Sequence, residues 1–196
     1  MVKIKSKKIS SLSGSAYGGE ILQKDNPLLR EVSSPISLSE IKGEEIKKII
    51  SDLKMAMASQ ADAVAISAIQ IGKPVRLFVI SKRIFKIVEE ITGEEIKEKK
   101  DLIFINPKIK RMSKDKQLIE EGCLSVRYFY GKVSRSCKVT VEAQDEDGKK
   151  FSRGFSGLFA QVVQHENDHL DGVLFIDKAI DIQEITPEEF EKTLKN

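Results

Sequence analysis

The chain has 196 residues, 40% of them hydrophobic and 32% charged, with a formal net charge of +3. That length suits one compact domain with a real core, and the composition is ordinary for a soluble protein. No apolar run approaches the roughly 18–20 residues of a membrane-spanning helix, and so small a net charge gives little reason to expect DNA as a partner.

The first ten residues, MVKIKSKKIS, are basic and lack the apolar centre of a secretory signal. Residues 1–19 are Lys- and Ser-rich without acids, as a transit peptide would be, but they contain no Arg. The expectation for 1–20 is a flexible or loosely paired leader on a cytoplasmic protein, with organelle targeting as the alternative. KDNPLLREVSSPI (24–36) reads as a loop with two prolines. Residues 37–60 read as helix, with Ser39 as candidate N-cap and Ile46, Ile49, Ile50, Leu53 and Met57 at helical spacing; Gly43 weakens the first turn. VRLFVIS (75–81) reads as a buried strand. The charged segment 82–101 is expected to be a helical or partly mobile insertion leaving the core. LIFINPKIKRM (102–112) returns to strand, ending near Pro107.

Val139 and Val141 alternate with polar residues before the turn DEDG, which predicts a hairpin. Residues 157–170 predict a helix with Leu158, Val162 and Val163 on its apolar side and Gly172 as its stop. GVLFID (172–177) reads as a short strand or extended segment. Thr186 and Pro187 begin a C-terminal helix. Strands and hairpins without a βαβ rhythm argue for an α+β fold. No repeat or linker divides it, so 1–196 is expected to be one domain.

Both histidines of the chain stand in QHENDHLDG, residues 164–172. On a helix, His165 and His169 share a face, four residues apart, and can close on one metal ion. Glu166 lies on the adjacent flank, out of easy ligand reach but able to serve a water at that metal. A catalytic metal commonly takes three protein ligands. Two cysteines are few for a secreted scaffold, so a reduced protein is expected. Cys123 in EEGCLSV is the candidate third ligand, with Glu121 beside it as support. Cys137 in RSCKVTV reads as an ordinary strand residue. A downstream acid, Glu184 or Glu188, would instead make the site that of a metallopeptidase.

QHENDHLDG together with EGCLS resembles the peptide deformylase family, which removes the formyl group from N-formylmethionine on new bacterial chains. A third family motif, Gly-φ-Gly-φ-Ala-Ala-x-Gln with φ apolar, is matched by AVAISAIQ (63–70). NPLLREVS and GVLFID add to a likeness spanning about 25–180. The resemblance implies antiparallel sheets packed around a central helix carrying the H-E-x-x-H motif. It implies Cys123, His165 and His169 as metal ligands and Glu166 as general base and acid. Gln70 and the Leu124 N–H would be donors to the developing oxyanion. The metal implied is Fe²⁺, with Zn²⁺, Ni²⁺ or Co²⁺ as substitutes. The implied partners are formylated nascent polypeptides, and with them the ribosome near its exit tunnel, but neither DNA nor membrane.

The family's two motif glycines are Ala63 and Ala65 here, and its first alanine is Ser67. Ala65 keeps the N–H and C=O that pair with a substrate strand, but its methyl narrows the groove, and a positive φ would strain it. Val64, Ala65, Ile66, Leu158 and Val162 are the candidate substrate-binding residues, with Gln161 a polar neighbour. Arg127 stands where the family has proline and is read as a substrate-carboxylate ligand or a solvated side chain. Arg135 matches a family arginine and reads as an ion-pair residue. The altered first motif also motivates a binding protein without turnover as the alternative from another class.

Overall fold

The computed structural model describes residues 19–98 and 100–195, so the leader expected over 1–20 falls almost wholly outside the described residues. The strand at Leu77–Ile80 shows how the fold is built. Successive side chains on a strand point to opposite faces. Leu77 and Val79 join Ile46, Ile49 and Leu53 on one side. Phe78 and Ile80 join Ala160, Val163 and Leu170 on the other. A strand covered on both faces shows no polar alternation, which is why 75–81 reads as a continuous apolar run.

Eight strands carry the architecture: Ala65–Ser67 (β1), Leu77–Ile80 (β2), Leu102–Met112 (β3), Lys116–Cys123 (β4), Val126–Ser136 (β5), Lys138–Gln144 (β6), Lys150–Ser156 (β7) and Ile180–Glu184 (β8). They form a five-stranded sheet in the order β1-β2-β3-β6-β7 and a three-stranded sheet in the order β4-β5-β8, antiparallel throughout. The helices are Leu38–Ile41 (α1), Glu44–Ala58 (α2), Arg83–Thr92 (α3), Gly157–Leu170 (α4) and Pro187–Lys195 (α5). α2 covers one face of the larger sheet. α4 packs against strands of both sheets and covers the other face. Phe78 and Phe104 stack there with ring centroids 4.6 Å apart. The fold is α+β, with antiparallel sheets around a central helix that bears His165 and His169. No described helix is long and apolar enough to cross a membrane.

Several expectations need correction. The first helix is broken at Gly43, and its N-cap is Ser37, not Ser39, because the Ser37 N–H donates to the Glu40 carboxylate at 2.9 Å. Residues 82–101 do not simply leave the core: α3 buries Ile84 and Phe85 against it. β3 runs through Pro107 at a register shift and continues to Met112. Residues 175–177 form a 3-10 turn rather than a strand, since Leu174 and Phe175 are buried by a three-residue turn. Cys137 lies at the bend between β5 and β6, outside either strand.

Gly172 follows α4 with φ +73°, and a Cβ there would sit 2.5 Å from the Arg30 carbonyl oxygen. Gly93 has a similar φ of +72° but open space around it. Gly93→Ala should cost about 1 kcal/mol, the left-handed backbone penalty alone. Gly172→Ala should cost more, because backbone atoms must also move. Denaturant midpoints of the two variants against the parent test the order.

Candidate metal centre

α4 buries Ala160, Val163 and Leu170 against the sheets. Four-residue spacing brings His165 and His169 together, their ring centroids 5.0 Å apart. The sulfur comes from the other sheet. β4 runs to Cys123, and its pairing with β5 shifts register between Gly122 and Cys123. A Cβ on Gly122 would lie 2.7 Å from Tyr130 Cε1, so glycine lets that ring close over the strand end.

Cys123, His165 and His169 each present one ligand atom, and these atoms lie within 4.8 Å of one another. Cys123 Sγ is 3.1 Å from His169 Nε2. Burial pulls the His165 pKa down, but the Cys123 sulfur and Glu121 carboxylate outweigh it and hold it well above the usual value. Burial and the neighbouring His165 push His169 well below its usual value, keeping it neutral with a lone pair to offer. One sulfur and two imidazoles, converging at a partly buried spot, fit a divalent cation. The acids weighed as alternative ligands, Glu184 and Glu188, are both exposed. Among the described residues, the group able to hold an ion is Cys123, His165 and His169.

Glu121 is buried and orients the centre. Its carboxylate accepts from Arg135 Nε at 2.7 Å and Nη2 at 2.8 Å, and lies 3.0 Å from His165 Nδ1. Burial raises its pKa, yet the hydrogen bonds from Arg135 and His165 dominate and bring it to about 2. Arg135 also donates to Asp168 at 2.6 Å, and Lys178 reaches the other Asp168 oxygen at 2.7 Å. Sequence reasoning expected support from Glu121 and an ion pair from Arg135 but singled out neither Asp168 nor Lys178. Asp168 carries a signal in its spacing, three residues after His165 and one turn along the helix, whereas Lys178 lies beyond that helix and carries none.

Glu166 is buried next to the histidines, and burial raises its pKa against the opposing pull of His165 and Ser67. The Gln70 amide accepts from the Ser67 N–H at 2.8 Å. Its Nε2 donates to Ser125 Oγ at 3.0 Å and lies 3.7 Å from Cys123 Sγ. The Leu124 carbonyl accepts from Gln23 Nε2 at 3.1 Å, which fixes the peptide following the cysteine. Leu124 also lines an open groove of about 630 Å³ with Gln23, Gln60, Arg127 and Tyr128.

Ala65, Val162 and the partly buried Val64 and Leu158 meet in the cluster under α4. Ile66 is not with them: it is fully buried on the α2 side of the sheet. Neither Ala63 nor Ala65 has a positive φ, so the feared strain is absent. Gln161 donates to the Glu120 carbonyl at 3.0 Å and is thereby tied to β4. Arg127 lines the open groove without being free, because it makes two bonds to Asp62, at 2.6 and 3.3 Å, and one to Gln60 at 2.5 Å.

One cysteine and two helical histidines able to hold a metal ion, with a buried glutamate beside them, fit the equipment of a metal-dependent hydrolase. Residues 19–184 match the family model described as polypeptide deformylase. The peptide deformylase of Rhizobium meliloti (strain 1021) is 41% identical over 152 residues, 78% of this chain and 79% of the relative. The chloroplastic/mitochondrial peptide deformylase 1A of Arabidopsis thaliana is 38% identical over 165 residues, 82% of this chain and 61% of the relative. The peptide deformylase of Synechococcus elongatus in complex with actinonin superposes with a TM-score of 0.73 at 29% identity, covering 99% of this chain and 92% of that one. The Met-Ala-Ser-bound class I type b enzyme of Acinetobacter baumannii gives 0.70 at 27% identity, covering 81% and 97%. The chain belongs to the polypeptide deformylase family, metal-dependent enzymes that hydrolyse the formyl group from N-formylmethionine peptides.

Arg135→Leu should cost about 3–5 kcal/mol, because it strands a buried carboxylate. Glu121 titrates near 2 when folded against 4.5 unperturbed. Its contribution is therefore complete above about pH 4.5 and drains as pH falls toward 2. The deficit of the variant, read in denaturant, should shrink over that window.

Proposed function

We propose that deformylation takes place at the centre formed by Cys123, His165 and His169. The observation that carries this reading is the convergence of their three ligand atoms within 4.8 Å, beside the buried Glu166 and the Gln70 amide. Cys123, His165 and His169 would hold a divalent ion there, which would supply Lewis-acid chemistry: activation of a water near neutral pH and polarisation of the carbonyl oxygen. Fe²⁺ is the favoured ion, and the same donors accept Zn²⁺, Co²⁺ or Ni²⁺.

The protein's own groups do the rest. Glu166 takes a proton from the attacking water and delivers it to the departing amine nitrogen. Its raised pKa suits a group that must both accept and return a proton near neutrality. Water adds to the formyl carbon, the C–N bond breaks, and formate and a free α-amino group result. The Gln70 Nε2 and the Leu124 N–H serve the carbonyl oxygen as it gains charge; one such donor contributes roughly 3 kcal/mol to the transition state.

Substrate alignment comes from β1, an edge strand of the larger sheet. The Val64 carbonyl accepts from the Ser81 N–H and so faces β2. Alternation then turns the Ala65 N–H and C=O outward, free to pair with an added peptide strand. The methionine side chain is assigned to the apolar surface of Val64, Leu158 and Val162, with the Ala65 methyl limiting its depth. Residues 1–196 act as one domain in this reading, on formylated chains near the ribosomal exit tunnel, in the cytoplasm or in an organelle that makes such chains.

A formyl-Met peptide and its unformylated twin should be given to anaerobically purified protein: formate is expected from the first and no cleavage from the second. A protein that binds both without turnover refutes the reading. Glu166→Ala should keep its metal and lose nearly all formate release, while Cys123→Ala should lose the metal itself. A chelator should abolish the parent's activity, and added Fe²⁺ should restore it.

A further inference from the structure

The family motif has alanine where this chain has Ser67, and the extra hydroxyl lands on the most chemically loaded carboxylate in the molecule. Ser67 Oγ donates to Glu166 Oε2 at 2.5 Å, and lies 3.2 Å from the Glu166 carbonyl oxygen as well. The serine is completely buried and Glu166 is only 3% exposed. Such a bond to an ionised acceptor is among the stronger kinds, and at this depth water has little access to compete with it.

We infer that Ser67 is a positioning residue for the Glu166 carboxylate. The inference rests on the reading of Glu166 as the group that moves protons. The terminal torsion of a glutamate is broad and weakly restrained by its own covalent geometry. A proton-transfer group works only when its oxygen is held within hydrogen-bond reach of the reacting atoms. Ser67 supplies that restraint by holding Oε2 from the β1 side, across the joint between strand and helix.

The same residue anchors a second group through its backbone. Its N–H donates to Gln70 Oε1 at 2.8 Å, so the Gln70 Nε2 is turned toward Ser125 and Cys123. Any residue at position 67 that keeps this backbone supplies the Gln70 anchor. Only a hydroxyl supplies the Glu166 anchor. The two contributions therefore separate by substitution: Ser67→Ala removes the carboxylate restraint and leaves the glutamine where it is.

The experiment is steady-state kinetics on a formyl-Met peptide, with metal content and thermal midpoint measured on the same samples. Ser67→Ala is expected to lower kcat at least about tenfold, towards the roughly hundredfold that a 1 Å misplacement can cost. KM and metal content should stay at parent values, and the midpoint should fall only by what one buried hydrogen bond contributes. A crystal structure of the variant should show the Glu166 carboxylate turned away from its present direction. Ser67→Cys fills the same space with a weak donor and should fall between alanine and serine. An alanine variant at the parent kcat, a cysteine variant at full kcat, or a kcat loss matched by lost metal would each overturn the inference. Glu166→Ala run alongside separates the two levels. If it is inactive while Ser67→Ala is unaffected, only the positioning role fails. If it turns over at the parent rate, the assignment of Glu166 fails first.

Discussion

One buried guanidinium holds the centre together. Arg135 on β5 grips Glu121 on β4 with two hydrogen bonds and Asp168 on α4 with a third. Taking these charges out of water is costly unless every one is partnered. Here they are: Glu121 also meets His165, and Asp168 also meets Lys178. The network therefore fixes the hairpin and the helix in one relative position. A one-residue slip of β5 would send Arg135 to the other face of its sheet and break all of it. With His165 oriented by Glu121, the imidazole is aimed before any ligand arrives.

α4 has to satisfy two demands that usually compete. Its apolar residues must bury against the larger sheet, and its histidines must face the sulfur that ends β4. The fold meets both by wedging the helix between two sheets, so that one flank is core and the other is chemistry. Cys123 is carried there by a strand end, at a register shift that frees the last residue from regular pairing. The three candidate ligands thus sit on a helix and a strand end rather than on loops, which favours precise geometry.

Much of this was legible in the chain itself. The helix over about 157–170 was readable, because Leu158, Val162 and Val163 give it an apolar side and a glycine with a left-handed backbone follows its end. The hairpin around DEDG and the buried strand near 77–80 were equally clear. The β4–β5 hairpin was not. β4 carries charges on both faces and exposes Leu118 by 53%, so no clean alternation marks it. Spacing pointed to His165 and His169 and residue type made Cys123 a candidate third ligand, while the full set came from the family resemblance. The network behind it was harder to see, because Arg135 stands 14 residues from Glu121 and 33 from Asp168 and meets them only through the folded hairpin. The Ser67–Glu166 contact, 99 residues apart, carried no sequence signal beyond the departure from alanine. The strain expected at Ala65 arose from treating glycine in the motif as a demand for positive φ. The backbone there is ordinary strand, and only the methyl distinguishes it.

The account depends most on a thiol and two imidazoles sharing a single ion. X-ray absorption at the metal edge of protein purified without oxygen measures that directly. It should find one sulfur at about 2.3 Å and two nitrogens at about 2.0–2.1 Å around the ion. A shell of nitrogen and oxygen alone, with no sulfur, would contradict it.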